Sequence, residues 1–397
     1  MDFKQIQIAP FNSSLKEQRY LLTCGDNFYE AGEHLAHLVE ILQNASDEES
    51  GIQKYVSQSG GKYTTEQIRN VVKNTVYHLL ETKEKKRVFI YEKQLLSAEK
   101  IDLFSQRLSF LFSKAVMSAV FAIGLMLDIY YFVSEEDLLV FNNAAGLYTV
   151  TFLLAFTVFS SFFHELGHAA ACKHFGIRHG AIGFGLYLNF PVLYTDVTKV
   201  WSLNRLQRCI VNIAGVYFQF LLLIPMLLAV IFTSNDVLRY MVLTVNLGFI
   251  MTLNPFFKFD GYWLMTDILG VANLRKRSGE VLAYIWGKTR GMKFDKKPYL
   301  FGLRPVAKIG FVVYSIVVNV FMGYYFLYII PKFLYGFFTE LPGQMSQLAM
   351  FMSSRVSIPF SLVRNIGAQF LFFALVVYMI WNMIKGLRTS KNAKTIS

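Results

Sequence analysis

From about residue 111 onward the chain carries long runs in which polar residues almost vanish: 111–133, 146–172, 210–232, 238–253, 309–330 and 366–384. A helix needs about 20 apolar residues to cross the hydrocarbon core of a bilayer, and most of these runs are near that length; the fourth is shorter. The pattern predicts an α-helical polytopic membrane protein with about six transmembrane helices. The first hundred residues follow other periods. Arg19-Tyr20-Leu21-Leu22-Thr23 and Phe28-Tyr29-Glu30-Ala31 flank Gly25-Asp26-Asn27, the outline of a short hairpin. Leu35, Leu38, Val39 and Leu42 recur at helical spacing. Two more helices are predicted at about 47–57 and 64–81, the latter capped by Thr64 or Thr65. Strands followed by three helices outline a small α+β winged-helix-like domain over 1–82. The run Lys83-Glu84-Lys85-Lys86-Arg87 opens a solvated linker over 83–107. A membrane core over 108–280, a loop over 281–307 and C-terminal helices with a tail over 308–397 complete the division.

Composition sharpens this picture. Hydrophobic residues make up 54% of the 397 positions and charged residues 17%, against roughly 45–50% and 25% in ordinary soluble domains. Residues 1–100 hold 13 basic and 14 acidic side chains, whereas 101–397 hold 26 and 13. The distribution excludes a single soluble globule, a disordered chain and a nucleic-acid binder with one basic face. Lys173, Arg178, Lys199, Arg205 and Arg208 follow the second span. The stretch from Lys258 to Lys297 follows the fourth, and Lys385, Arg388, Lys391 and Lys394 follow the last. The loop after the first span carries Glu135, Glu136 and Asp137 instead. The positive-inside rule then places both termini in the cytosol of a multi-pass cell-membrane protein, with Lys332, Arg355 and Arg364 departing from the trend. Cys24, Cys172 and Cys209 lie far apart, which argues against a disulfide framework or a thiolate zinc cluster. The amino terminus lacks the pattern of a signal peptide.

The candidate chemistry lies at the inner end of the second span, in Phe163-His164-Glu165-Leu166-Gly167-His168-Ala169. Histidines at i and i+4 share a helix face and can reach one metal, while the intervening Glu165 can act as general base on the metal's water. Ionisable groups near a bilayer are costly and default to function. A third ligand is needed. His174 fits the length of the soluble metzincin pattern, but Ala171 stands where that pattern turns on Gly. On a continuous helix residue 174 points roughly 240° away from His168. His174 and His179 are therefore read as interfacial polar residues.

A better candidate is Asp260, in Asn254-Pro255-Phe256-Phe257-Lys258-Phe259-Asp260-Gly261-Tyr262-Trp263. Pro255 should break the fourth span there, and two histidines with one carboxylate form an established catalytic zinc set. Capping of the following helix is the alternative role for this Asp. Asn254 either donates its amide to a scissile carbonyl or satisfies backbone freed by Pro255.

With these residues the chain resembles the site-2 protease family of intramembrane zinc metalloproteases, and more narrowly its bacterial peptide zinc metalloprotease branch. Besides the two motifs, the likeness includes Asp196 in Tyr194-Thr195-Asp196-Val197-Thr198, Ala214-Gly215, and Ala272-Asn273-Leu274-Arg275-Lys276-Arg277-Ser278, over about residues 110–280. Phe259 replaces a common Leu, and Val216 stands where relatives often have Pro. The resemblance implies one Zn²⁺ per chain on His164, His168 and Asp260, with Glu165 as base and an active site opening toward the cytosol. It also makes Tyr194, Asp196 and Asn254 candidate substrate-binding positions. Alternating Ile182, Phe184, Leu186, Leu188 and Phe190 suggest strand character, and the family likeness implies a hairpin there that holds extended substrate.

Residues 19–65 resemble the leader-peptide-binding domain of modified-peptide pathways, which implies that a peptide adds as a strand at the hairpin edge. The combined expectation is a zinc endopeptidase that processes a ribosomally made peptide precursor, coupled to a peptide exporter. One alternative is regulated cleavage of a membrane-anchored signalling protein. Another is a non-catalytic metal-binding scaffold or transporter accessory, in which Glu165 would have no use. Residues 333–364 are expected outside the membrane, with Met345, Leu348 and Met352 forming an interfacial turn.

Overall fold

The computed structural model describes residues 2–81, 89, 91–134, 147–187, 190–233, 235–292, 298–354 and 356–395. The Lys83–Arg87 run, the acidic loop at 135–145 and Lys296-Lys297 lie outside them.

The N-terminal domain begins with three antiparallel strands in the order β1 (Gln7–Phe11), β2 (Arg19–Cys24) and β3 (Asn27–Gly32). The expected hairpin is β2–β3. Cys24 pairs with Asn27, so the loop is Gly25-Asp26, and Gly25 takes the left-handed conformation this tight turn requires (φ 59°). Strand β1 goes beyond the expected hairpin and carries Pro10, which cannot donate to a ladder. On an edge strand that loss is tolerated. Helices α1 (Glu33–Asn44), α2 (Glu48–Gln58), α3 (Thr65–Val71) and α4 (Tyr77–Glu81) follow, the last two joined by a π turn. Asp47 caps α2 and Thr64 caps α3, each in a reciprocal box with the residue three positions on, Ser50 and Gln67. Leu38, Val39 and Leu42 of α1 meet Leu22, Ile52, Ile68 and Val72 in one core.

Strand β4 (Tyr91–Leu96) and α5 (Ala98–Leu108) occupy the stretch expected as linker. They lead to α6 (Lys114–Ser134) and α7 (Leu147–His174). Strands β5 (Ile182–Tyr187) and β6 (Phe190–Thr195) join β4 in a sheet ordered β4-β5-β6, in keeping with the alternation read there. The chain continues through α8 (Arg205–Thr233), α9 (Asp236–Thr252), α10 (Asp260–Leu269) and α11 (Leu274–Thr289). It ends with α12 (Pro305–Tyr324), α13 (Ile330–Ser353) and α14 (Phe360–Thr395).

Among the described residues five helices are long and apolar enough to cross a membrane: Lys114–Ser134, Tyr148–His174, Arg205–Thr233, Pro305–Ser353 and Phe360–Tyr378. They take in five of the six expected runs. The remaining run, the fourth, forms α9, whose 17 residues stand at the short end of the range for a span. Residues 333–353, part of the stretch 333–364 expected outside the membrane, belong to α13, which continues the helix begun at Pro305 through a π turn at Tyr325–Ile329. Pro331 stands just after that π turn, where the helical hydrogen-bond pattern changes.

Two compact units emerge. The first holds the N-terminal domain and the helices to residue 315. Its hub is α8, whose apolar window is 56% buried in protein against 11–28% for the other four candidate spans. Helix α7 lies close against it, because Ala169, Ala170 and Ala171 are small and a Cβ on Gly167 would overlap the Ala214 carbonyl oxygen. The second unit is mainly residues 316–397. There α13 and α14 pack through aromatic pairs, Phe337 stacking on Phe373 and Phe333 meeting Phe372 edge-on, both at 4.3 Å.

Candidate metal centre

Helix α7 places His164 and His168 one turn apart, and α10 begins at Asp260. Their ligand atoms converge. His164 Nε2 and His168 Nε2 are 3.1 Å apart, and Asp260 Oδ2 lies 2.9 Å from the first and 3.0 Å from the second. Phe259, not Asp260, is the N-cap of α10. The carboxylate therefore serves the histidines, and its competing capping role is not used.

The outer ring nitrogens fix the protonation pattern. His168 Nδ1 lies 2.7 Å from the Val211 carbonyl, and His164 Nδ1 lies 3.1 Å from Gln219 Oε1. Gln219 is itself oriented by donating Nε2–H to Ser160 Oγ at 3.0 Å. Carbonyl oxygens only accept, so each Nδ1 carries a proton, and in a neutral ring Nε2 then turns a lone pair inward. In the neutral rings two lone pairs and a carboxylate oxygen thus face one another. A cation at their centre would stabilise such a cluster, as would a proton shared between an imidazole and the Asp260 carboxylate. The edge of a tetrahedral zinc site with bonds of about 2.0–2.1 Å is about 3.3 Å, close to the three separations found here. The donor set fits zinc, and the Nδ1 partners are the outer-shell supports that metal-bound histidines generally have.

Local sequence explains how three helices come this close. A Cβ on Gly215 would lie 2.2 Å from His164 Nε2, so only glycine lets α8 pass the imidazole. A Cβ on Gly261 would likewise overlap the Leu253 carbonyl, which lets α10 start tight against the end of α9. Glu165 is buried, at 7% exposure. Its backbone carbonyl accepts a hydrogen bond from Thr195 Oγ1 at 3.0 Å, which ties the end of β6 to the turn of α7 that carries it.

The other candidates have local partners. Asn254 Oδ1 accepts from the Phe256 amide at 2.8 Å, satisfying backbone next to Pro255. Asp196 Oδ1 accepts from the amide of Thr198 at 3.1 Å, and its backbone pairs with Gly180 and Ala181. Tyr194 packs over Gly183, where a Cβ would overlap its ring. His174 is bonded to the Ser109 carbonyl and joins no metal group. His179, read as interfacial, is buried and bonded to Ser105 Oγ at 2.9 Å.

Sequence reading missed Gln219 and Ser160. The signal was present, since Gln219 and Asn212 are the two amides in the apolar run 210–232 and a polar group inside a span calls for a partner. It also treated Arg208 as loop charge. Its side chain is 3% exposed and paired with Asp267 at 2.6 Å.

In comparisons with known proteins, a stretch of 110 residues is 29% identical to a Bacillus subtilis (strain 168) protein named "Putative peptide zinc metalloprotease protein YydH". The match takes in 27% of this chain and 44% of the Bacillus protein, so the chain spans less than half of that relative's length. No protein-family model and no solved structure matches.

Proposed function

We propose that this chain is a zinc-dependent endopeptidase of the cell membrane that cleaves a peptide precursor. The observation that carries the reading is the convergence of three acceptor atoms from His164, His168 and Asp260 beside a buried Glu165. The printed name of the Bacillus relative points the same way. Zinc held by these three residues would supply Lewis acidity, polarising a peptide carbonyl and acidifying water to a pKa of about 7. Glu165 then takes a proton from the attacking water and returns it to the leaving amine. The neutral Nδ1–H tautomers of His164 and His168, held by Gln219 and Val211, keep both lone pairs on the site throughout. A non-catalytic scaffold would need the ligands but not Glu165.

The substrate enters this reading through two strand edges. Strand β6 ends at Thr195, bonded to Glu165, and is an edge of its sheet. An extended peptide pairing with it would pass beside the base. On the N-terminal domain β3 is also an edge, since β1 covers the other side of β2. A precursor's leader segment could add there by backbone pairing. The same domain carries a groove of about 890 Å³ lined by Tyr20, His34, His37, Tyr55 and Tyr63 among others. Such an arrangement suits recognition of a ribosomally made peptide before its passage to an exporter. Both termini are assigned to the cytosol by the positive charge of the segments after the second and fourth runs.

The test uses wild type and Glu165→Gln purified in detergent, each incubated with a peptide library of defined composition. New amino termini are then read by mass spectrometry. New termini made by wild type alone support proteolysis at this site. Equal products from both proteins overturn it.

A further inference from the structure

Helix α10 delivers Asp260 from its first residue and is ten residues long, about 15 Å. Its far end is held as firmly as its near end. Asp267 Oδ1 accepts from Arg208 Nε at 2.6 Å, and Oδ2 accepts from Asn212 Nδ2 at 2.7 Å. Both donors belong to α8, the helix that supplies the Val211 carbonyl, Gly215 and Gln219 to the two histidines. Arg208 and Asp267 side chains are 3% and 8% exposed. Arg205, also from α8, donates to the Asp267 and Ile268 carbonyls that end α10.

Stability alone does not explain this arrangement. A carboxylate in the last turn of a helix opposes the helix dipole. A buried ion pair is, moreover, often no more stable than apolar residues of the same volume. What the arrangement does provide is direction. Two oxygens gripped by two donors on consecutive turns of α8 fix the distance and rotation of α10 relative to the helix that orients the imidazoles.

We infer that Asp267 is a positioning residue for the metal centre: by bridging Arg208 and Asn212 it fixes α10, so that Asp260 meets His164 and His168 at ligand distance. The inference rests on the metal-site reading above. The N-terminal domain completes the anchor. The Ser14 amide donates to the Gly270 carbonyl at 3.0 Å, and Ser14 Oγ accepts from Arg205 at 3.1 Å. Phe11 and Trp201 lie 5.1 and 5.6 Å from the Arg208 guanidinium. A Cβ on Gly270, which is left-handed at φ 61°, would overlap Ser14 Oγ.

The test uses the full chain in detergent, with zinc affinity measured by competition with a chelating dye. Co²⁺ serves as a second probe metal, its visible absorption reporting coordination. Asp267→Asn should weaken zinc binding about tenfold or more, the scale of outer-shell losses, and should alter the Co²⁺ spectrum while helix content stays that of wild type. Asn212→Ala should shift both in the same direction. Tyr217→Phe is the control. It removes a buried hydrogen bond to the Leu111 carbonyl (2.8 Å) without touching α10, and should leave affinity and spectrum unchanged. Wild-type affinity and spectrum in Asp267→Asn would overturn the inference, as would an equal loss in Tyr217→Phe. If Asp267→Asn does not fold, Asn212→Ala decides alone, and wild-type behaviour there overturns it. A wild-type protein that binds neither metal would defeat the metal-site reading itself, and this inference with it.

Discussion

Replacing Gly215 with alanine adds one methyl group, aimed at the His164 imidazole. The new Cβ would lie 2.2, 2.3 and 2.4 Å from Nε2, Cε1 and Cδ2 of His164, where ordinary contact begins at 3.4 Å. Relief therefore requires the ring or the helix to move by about 1.2 Å, whereas metal–ligand distances tolerate about 0.2 Å. The ring has little freedom to yield, because Nδ1 is held by Gln219 and the Asp260 carboxylate lies 2.9 Å from Nε2. Overpacking of this kind costs about 1–3 kcal/mol of stability, which a hub helix as buried as α8 should survive. Displacement of a ligand by about 1 Å should lower turnover about a hundredfold or more. The assay pairs zinc content of the purified variant with cleavage measured against wild type. Zinc content and cleavage both at wild-type level would refute the geometry. An unfolded protein would show instead as lost helical signal, and Gly215→Ser, with the same Cβ, would then be compared for the same outcome.

Two further outcomes follow from individual contacts. Gln219→Leu leaves the His164 Nδ1–H buried without its acceptor, and zinc affinity should fall about 10–100-fold by chelator competition while Glu165 is untouched. Thr64→Ala removes the cap of α3, where Thr64 Oγ1 accepts from the Gln67 amide at 3.3 Å; the cost is about 1 kcal/mol. Hydrogen exchange at the first amides of α3 in the full chain should speed up about fivefold, with zinc content unchanged.

The metal ligands on α7 were legible in sequence because their spacing is set within one helix turn. Asp260 was legible as a lone carboxylate beside a break at Pro255. Whether it capped or ligated depended on the partner brought across by α8, which no local pattern reveals. The same limit applies to Arg208. A cation at the end of an apolar run reads as solvated until Asp267, 59 residues on, is seen to neutralise it. Strand β1 carries Pro10, which argues against a central strand but is tolerated at an edge. Residues 333–353, expected outside the membrane, lie in α13 with Pro342 inside it, and the apolar positions around that proline continue the helix. The hairpin, by contrast, was visible because Gly25 supplies the backbone conformation that a two-residue loop demands.

The central claim is that His164, His168 and Asp260 together hold one zinc ion. Elemental analysis of purified wild type, Asp260→Ala and His174→Ala tests it most directly. The geometry predicts about one zinc per chain in wild type and in His174→Ala, and almost none in Asp260→Ala. Zinc retained by Asp260→Ala and lost from His174→Ala would contradict it.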